Sequence, residues 1–247
     1  MPRVEEILRF VEELAPKNLA ESWDNVGALV DCGNEVTSIL VALDITEEVV
    51  VEAELQGCQV IVAHHPVIFT PLHSVKKTDV VYRMIKKNIS GICAHTNLDA
   101  AEGGVNDILA RVCGLTDVVA FAQMGRIGKL RTPITAQQLA EACKAKFGLP
   151  AKYVDAGKPI TKLAVVGGAG AFIEEAVLAG ADCLLTGEAK HHEAIDARAR
   201  GLSLVAAGHF ATEYPVVPYL ADKLSKRFNG VRVLVSRRGR DPFSYTE

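Results

Sequence analysis

Six cysteines occur among 247 residues, and no two form a Cys-x-x-Cys pair. Cys32, Cys58, Cys93, Cys113, Cys143 and Cys183 are scattered, and most sit in or beside apolar runs, as small core residues do. That usage fits a reduced, cytoplasmic compartment. No apolar run reaches the roughly 20 residues that a membrane-spanning helix needs. The first residues, Met1 to Glu6, are acidic and amphipathic, unlike a signal peptide. Neither sign of charge dominates: 27 Lys and Arg stand against 30 Asp and Glu, a net charge of −3. The chain therefore lacks the basic footprint of a nucleic-acid binder. Its one local basic cluster, Arg237, Arg238 and Arg240, reads as a solvated strand end.

Hydrophobic residues make up 49% of the chain and charged residues 23%, enough for a sizeable core and too apolar for disorder. Val4, Ile7, Leu8, Val11 and Leu14 recur at helical spacing. Strand-like runs follow at 27–30, 38–43, 60–63 and 91–94, separated by helix-like stretches at 46–56 and 80–87, with another helix at 105–112. The scheme repeats with strands at 163–166, 183–185, 202–206 and 231–235, and helices at 171–179, 191–200 and 213–228. The expected class is α/β, with two duplicated α/β/α halves on mostly parallel sheets. Ser38–Asp44 corresponds to Lys162–Gly168, and His95 with Asp99 falls opposite His209 with Glu213. The stretch 120–161 is less regular: 135–147 reads as a helix, and Gly125, Gly128 and Pro133 break the chain before it. The halves are expected at 1–122 and 123–247, with intertwining allowed.

In open parallel sheets the working groups collect at the carboxyl ends of strands. His64, His65, Asp99 and His209 lie at or just past such ends, and Glu213 lies four residues beyond His209. A helix there puts His209 and Glu213 on one face. His64 and His65 are adjacent, and successive extended side chains point in opposite directions, which favours one ion each over one ion shared. Three imidazoles and two carboxylates exceed the four ligands of a closed zinc site. They suit two divalent metals about 3.5–4 Å apart, with Glu213 as the bridge. The donor set fits zinc, manganese, iron or cobalt.

Taken together, the chain resembles the Nif-three-like family, also called GTP cyclohydrolase I type 2 homologues. The matching segments are Ser22–Gly27, Ala63–Pro66, His95–Asp99, Gly103–Asp107, Gly125–Gly128, Thr186–Glu188 and Gly208–Glu213, in the family's order. The resemblance implies a dinuclear metal site held by His64, His65, Asp99, His209 and Glu213, in a cleft between the duplicated halves. It also implies a toroidal homohexamer. The stretch 120–161 is too short for the extra domain that some members carry, so this is the compact form. Ala28 stands where the family often has an aliphatic residue.

Several residues carry two readings. His95 has no ligand role in the family pattern; it is either a donor to a liganding carboxylate or a proton shuttle, or else a satisfied buried histidine. Glu188 and His192 line the rim of the site or serve as a helix cap and a surface histidine. Gly167–Gly170 lies between a strand and a helix, but residue 173 is Ile173 rather than glycine, so a tight turn is favoured over a phosphate cradle. Trp23-Asp24-Asn25 is either a nucleobase contact or a loop anchored by one aromatic and an Asx turn.

The expected function is metal-dependent hydrolysis of a nucleotide, with GTP as substrate and opening of the guanine imidazole ring. A phosphoesterase on the same metals and a non-enzymatic, metal-binding interaction assembly are the alternatives.

Overall fold

The computed structural model describes residues 1–246. Among them the chain forms two compact units, 1–102 with 216–240, and 103–215 with the segment from Asp241. Residues 103–122 thus lie in the second unit rather than the first, and the last helix and strand return to the first unit, the intertwining that the sequence allowed.

In the first unit the strands are β1 (Gly27–Val30), β2 (Ser38–Ala42), β3 (Val60–Ala63), β4 (Ser90–Cys93) and β11 (Arg232–Val235). They lie in the order β1-β4-β3-β2-β11, parallel except for β1 against β4. The central strands are apolar throughout, as burial on both faces requires. Leu40, Ala42, Ile61 and Ala63 pack with Val49, Val50 and Ala53 of α2 (Glu47–Leu55) and with Val81 and Met84 of α3 (Val80–Lys86). Their neighbours Ile39, Val41, Val60 and Val62 are fully buried on the opposite face. Thr46 starts α2, its hydroxyl accepting from the Val49 amide, with Glu47 and Glu48 in the first turn where the helix dipole favours them. Helices α1 (Val4–Leu14) and α10 (Val216–Arg227) pack against β1 and β2 respectively.

Glu52 ties down the returning strand. Its buried carboxylate accepts from the Ser236 hydroxyl at 2.6 Å and from the amides of Arg237 and Arg238 at 2.9 and 3.1 Å. The side chains of Arg237, Arg238 and Arg240 are exposed, as a solvated strand end should be.

In the second unit the order is β5-β6-β8-β9-β10-β7, from β5 (Thr116–Phe121), β6 (Gly125–Ile134), β7 (Lys152–Val154), β8 (Ile160–Val166), β9 (Cys183–Thr186) and β10 (Ser203–Ala206). Only β8-β9 and β9-β10 are parallel, so this sheet is mixed rather than mostly parallel. Alternate strand residues make its three layers. Leu163, Val165, Cys183, Leu185 and Val205 pack with Leu109 of α5 (Val105–Val112) and Leu139 of α6 (Ala136–Phe147). Ala164, Val166, Leu184 and Leu204 pack with Ile173 of α7 (Ile173–Leu178) and Ala197 of α8 (His191–Ala199).

The mixed character comes from the stretch expected to be irregular. Gly125 and Gly128 do not break the chain; they let strands approach. A Cβ on Gly125 would lie 2.9 Å from the Val165 carbonyl, and one on Gly128 2.8 Å from the Thr116 carbonyl. Pro133 falls where the β6–β8 register shifts, between Lys129 and Ile134, so its missing N–H costs no paired bond there.

The duplication is visible. β2-β3-β4 and β8-β9-β10 are parallel triplets in the same order, and each third strand carries an antiparallel neighbour, β1 or β7. Each third strand runs into a five-residue helix, α4 (Thr96–Ala100) or α9 (His209–Glu213). The amides of Ala94 and Ala207 make equivalent bonds, to Ala63 and Thr186. His95 therefore corresponds to Gly208, and the two His-x-x-x-carboxylate motifs are offset by one residue.

Burial pushes the Glu52 carboxyl up, but the Ser236 hydroxyl and the two amides outweigh it and hold its pKa below the usual glutamate value. Its contribution to stability is thus complete above about pH 4.3 and fades as pH falls through the lowered value. Glu52→Gln should cost about 1–3 kcal/mol in urea unfolding at pH 7 and less at pH 3. An unchanged midpoint at pH 7 would show that the strand is held without it.

Candidate metal centre

β3 ends at Ala63, and His64 and His65 fall in the bend after it. The strict alternation of an extended strand no longer applies there. The two rings lie side by side, centroids 4.9 Å apart and tilted by 40°, rather than on opposite faces. The ring of His95, just past β4, lies 5.3 Å from His64 and 5.5 Å from His65. One ring nitrogen from each of these three imidazoles lies within 4.8 Å of the others.

Each ring is held by its Nδ1. In His64, Nδ1 is 2.9 Å from the Ala94 carbonyl. A carbonyl only accepts, so Nδ1 carries a proton, and Nε2 is the atom free to take either a second proton or a metal ion. That Nε2 faces Asp99 Oδ1 at 3.6 Å, with His64 fully buried and the Asp99 side chain nearly so. A proton on Nε2 makes this an ion pair, and without that proton the two electron-pair donors converge as the ligands of a metal ion do. His65 Nδ1 lies 2.7 Å from Asp44 Oδ1, and His95 Nδ1 lies 2.8 Å from Asp24 Oδ1. An imidazole backed by a carboxylate is the arrangement that orients a liganding histidine and raises its basicity.

Asp24 is itself fixed. Its other oxygen accepts from the Thr96 amide at 3.0 Å and from the Thr96 hydroxyl. Burial pushes its carboxyl up, but Thr96 and His95 outweigh this and keep it below the usual carboxylate range. Burial, with the neighbouring His64, pulls His95 down. At neutral pH His95 is then an uncharged ring whose Nδ1–H is donated to Asp24.

In the second unit, α9 puts His209 and Glu213 one turn apart on one face, as expected, with Nε2 and Oε2 separated by 3.1 Å. Glu188 Oε1 stands 3.4 Å from His209 Nδ1. The Glu213 carboxylate occupies the space that a side chain on Gly168 would fill, and Gly168 adopts a φ of +63°. The Gly167–Gly170 turn is a cradle for this carboxylate rather than for phosphate. Its Gly167, Gly168 and Gly170 amides donate to Asn106 Oδ1, Thr212 Oγ1 and Thr186 Oγ1. Asn106 is placed in turn by the ion pair of its neighbour Asp107 with the buried Arg126, 2.6 Å long. That bond keeps the start of α5 on β6.

Among the sequence-predicted residues, the structure brings His64, His65 and Asp99 together in one unit and His209 with Glu213 in the other. It adds His95 to the imidazole group and Glu188 beside His209, whereas His192 is exposed. The sequence reading missed Asp24 as the partner of His95, Asp44 as the partner of His65, and Gly168 as the seat of Glu213. Asp44 carried a signal, since it ends an apolar strand run as the other site residues do.

The sequence model of the family Duf34/NIF3 (NGG1p interacting factor 3) matches residues 2–242. The chain belongs to the Duf34/NIF3 family. It is 34% identical over 260 residues to a Clostridium perfringens protein named GTP cyclohydrolase 1 type 2 homolog, covering 98% of this chain and 99% of that one. It is 28% identical over 284 residues to the Saccharomyces cerevisiae protein named NGG1-interacting factor 3. Its fold matches the crystal structure of a Bacillus cereus protein related to NIF3, with a TM-score of 0.89 and 26% identity over 99% of both chains. Buried histidine and carboxylate groups capable of holding a metal ion are thus present in a chain of this family. No helix among the described residues is long and apolar enough to cross a membrane.

Gly168→Ala should drive the Glu213 carboxylate from its seat and lower the bound metal per chain, read by plasma mass spectrometry, with the far-ultraviolet spectrum unchanged. Full metal content in this variant would show that the Glu213 position does not matter for the ion.

Proposed function

We propose that His64, His65, Asp99, His209 and Glu213 together hold two divalent metal ions and that the protein is a hydrolase acting on a nucleotide, with GTP as the first substrate to test. The observation that carries the reading is the buried His64, its Nδ1 proton given to Ala94 and its Nε2 turned to Asp99. The shared naming of its relatives as GTP cyclohydrolase 1 type 2 homologues directs the choice of substrate. When bound, two divalent ions supply Lewis acidity and water activated near neutral pH.

The chain's own residues supply the rest. Asp44 orients His65, and the Gly168 turn holds Glu213 in place. His95, its Nδ1 held by Asp24, relays a proton through its Nε2. In the cyclohydrolase reaction, water is added across both C–N bonds of the imidazole carbon of guanine, and that carbon leaves as formate. Closure of the dihydropterin ring then returns one water. The triphosphate stays intact, which separates this reaction from a phosphoesterase releasing inorganic phosphate.

Incubation of the metal-loaded protein with GTP, followed by mass spectrometry, should show formate and a dihydropterin triphosphate. His65→Ala should abolish both while leaving the fold intact. Inorganic phosphate without formate would favour the phosphoesterase. Unchanged GTP with tightly retained metal would favour a metal-binding assembly that docks proteins, the role that the name of the yeast relative points to.

The same reading includes a homohexamer. Sedimentation equilibrium should return about six times the 26.5 kDa subunit mass, and a monomer at micromolar concentration would remove this part of the proposal.

A further inference from the structure

Trp23 and Phe69 are among the most exposed large apolar side chains of the first unit, 58% and 54% accessible. Neither ring hangs on a loose segment. The residue after Trp23 is Asp24, pinned by His95 and Thr96, and the amide of Glu21 donates to Thr96 Oγ1 at 2.9 Å. Asn25 donates its side-chain N–H to the carbonyl of Ile68, next to Phe69, at 2.6 Å. The two aromatics are therefore held in place by their immediate neighbours while their own faces stay in solvent. Trp23 does not anchor its loop; Asp24 does.

The arrangement continues inward. The centroids of Trp23, Phe69 and His95 form a triangle with sides of 5.8, 6.2 and 6.3 Å, with the plane of His95 at 74° and 72° to those of Trp23 and Phe69. His95 is also a corner of the imidazole triangle with His64 and His65. Five rings thus run without a gap from the exposed Trp23 to the fully buried His64.

We propose that Trp23 and Phe69 form the stacking wall for the planar heteroaromatic ring of the substrate, a fused purine-type ring, and deliver its edge to the imidazole cluster. The proposal rests on the metal-site reading and names the ring that this site takes. Trp23 and Phe69 meet at 51°, too splayed to sandwich a ligand between them. The ring lies instead on the outer face of Trp23, with Phe69 as the side wall. The fused ring is the one that the relatives' naming as GTP cyclohydrolase 1 type 2 homologues offers to this wall. Stacking is tolerant of ring substituents, so this wall fixes the class of ring and the metal site fixes the chemistry.

Trp23 is the sole tryptophan of the chain, so its fluorescence reports this wall alone. The metal-loaded full-length protein would be titrated with guanosine and, separately, with ribose 5-triphosphate, with calorimetry in parallel. Saturable quenching by guanosine and none by the ribose triphosphate is the expected result. Phe69→Ala keeps the reporter and should loosen guanosine roughly five- to hundredfold, as should Trp23→Ala by calorimetry, with metal content unchanged in both. Guanosine that fails to quench, or that binds both variants as tightly as the parent, would overturn the proposal even if GTP were hydrolysed. Emission that changes with protein concentration but not with guanosine would give the wall to a second copy of the chain and overturn it too. Stacking retained without GTP turnover would sink the hydrolase reading and leave the ring site standing.

Discussion

The hydrogen bond from His64 Nδ1 to the Ala94 carbonyl fixes more of this molecule's chemistry than any other contact. It exists because β3 and β4 are parallel neighbours, with Ala63 opposite Cys93, so the residue after one strand meets the backbone after the other. A carbonyl cannot donate, so Nδ1 must carry a proton. Nε2 is left as a ligand atom facing Asp99 in a place that water does not reach. Burying two such groups together is expensive without a positive charge between them, and a metal ion is one such charge that this site could hold.

The duplicated units keep a scaffold and vary its decoration. By strand register, His64 and His65 correspond to Gly187 and Glu188, and Asp44 to Gly168. Where the first unit has the carboxylate that orients His65, the second has the glycine that makes room for Glu213. Gly187 is as constrained as Gly168: a Cβ there would meet the Gly168 carbonyl at 2.6 Å and the His209 Cα at 2.8 Å. One unit thus presents its histidines from the strand end itself, and the other empties that position so that a helix can bring His209 and Glu213 close.

Much of this was legible in the sequence because it depended on short-range pattern. The apolar runs ending in His64, His65, His95 and His209 marked strand ends, and the spacing of His209 and Glu213 anticipated one helical turn. What the sequence hid depended on long-range pairing. Gly125, Gly128 and Pro133 look like chain breakers, yet they sit in a ten-residue strand, because what their neighbours' backbones demand is visible only once β5, β6 and β8 are paired. The same holds for Asp24, which meets His95 from 71 residues away, and for Glu52, which meets Ser236 from 184 residues away. Periodicity has no means of announcing such partners.

The return of β11 to the first sheet sets an order of assembly. As the chain leaves the ribosome, residues 103–215 emerge as a continuous block that carries the whole second sheet. The first sheet must wait. Until Arg232–Val235 appear, the outer edge of β2 has no strand beside it, and its backbone N–H and C=O groups form a template open to any passing strand. The first unit is therefore begun first and finished last, and a nascent chain of this kind is exposed to mispairing for most of its synthesis.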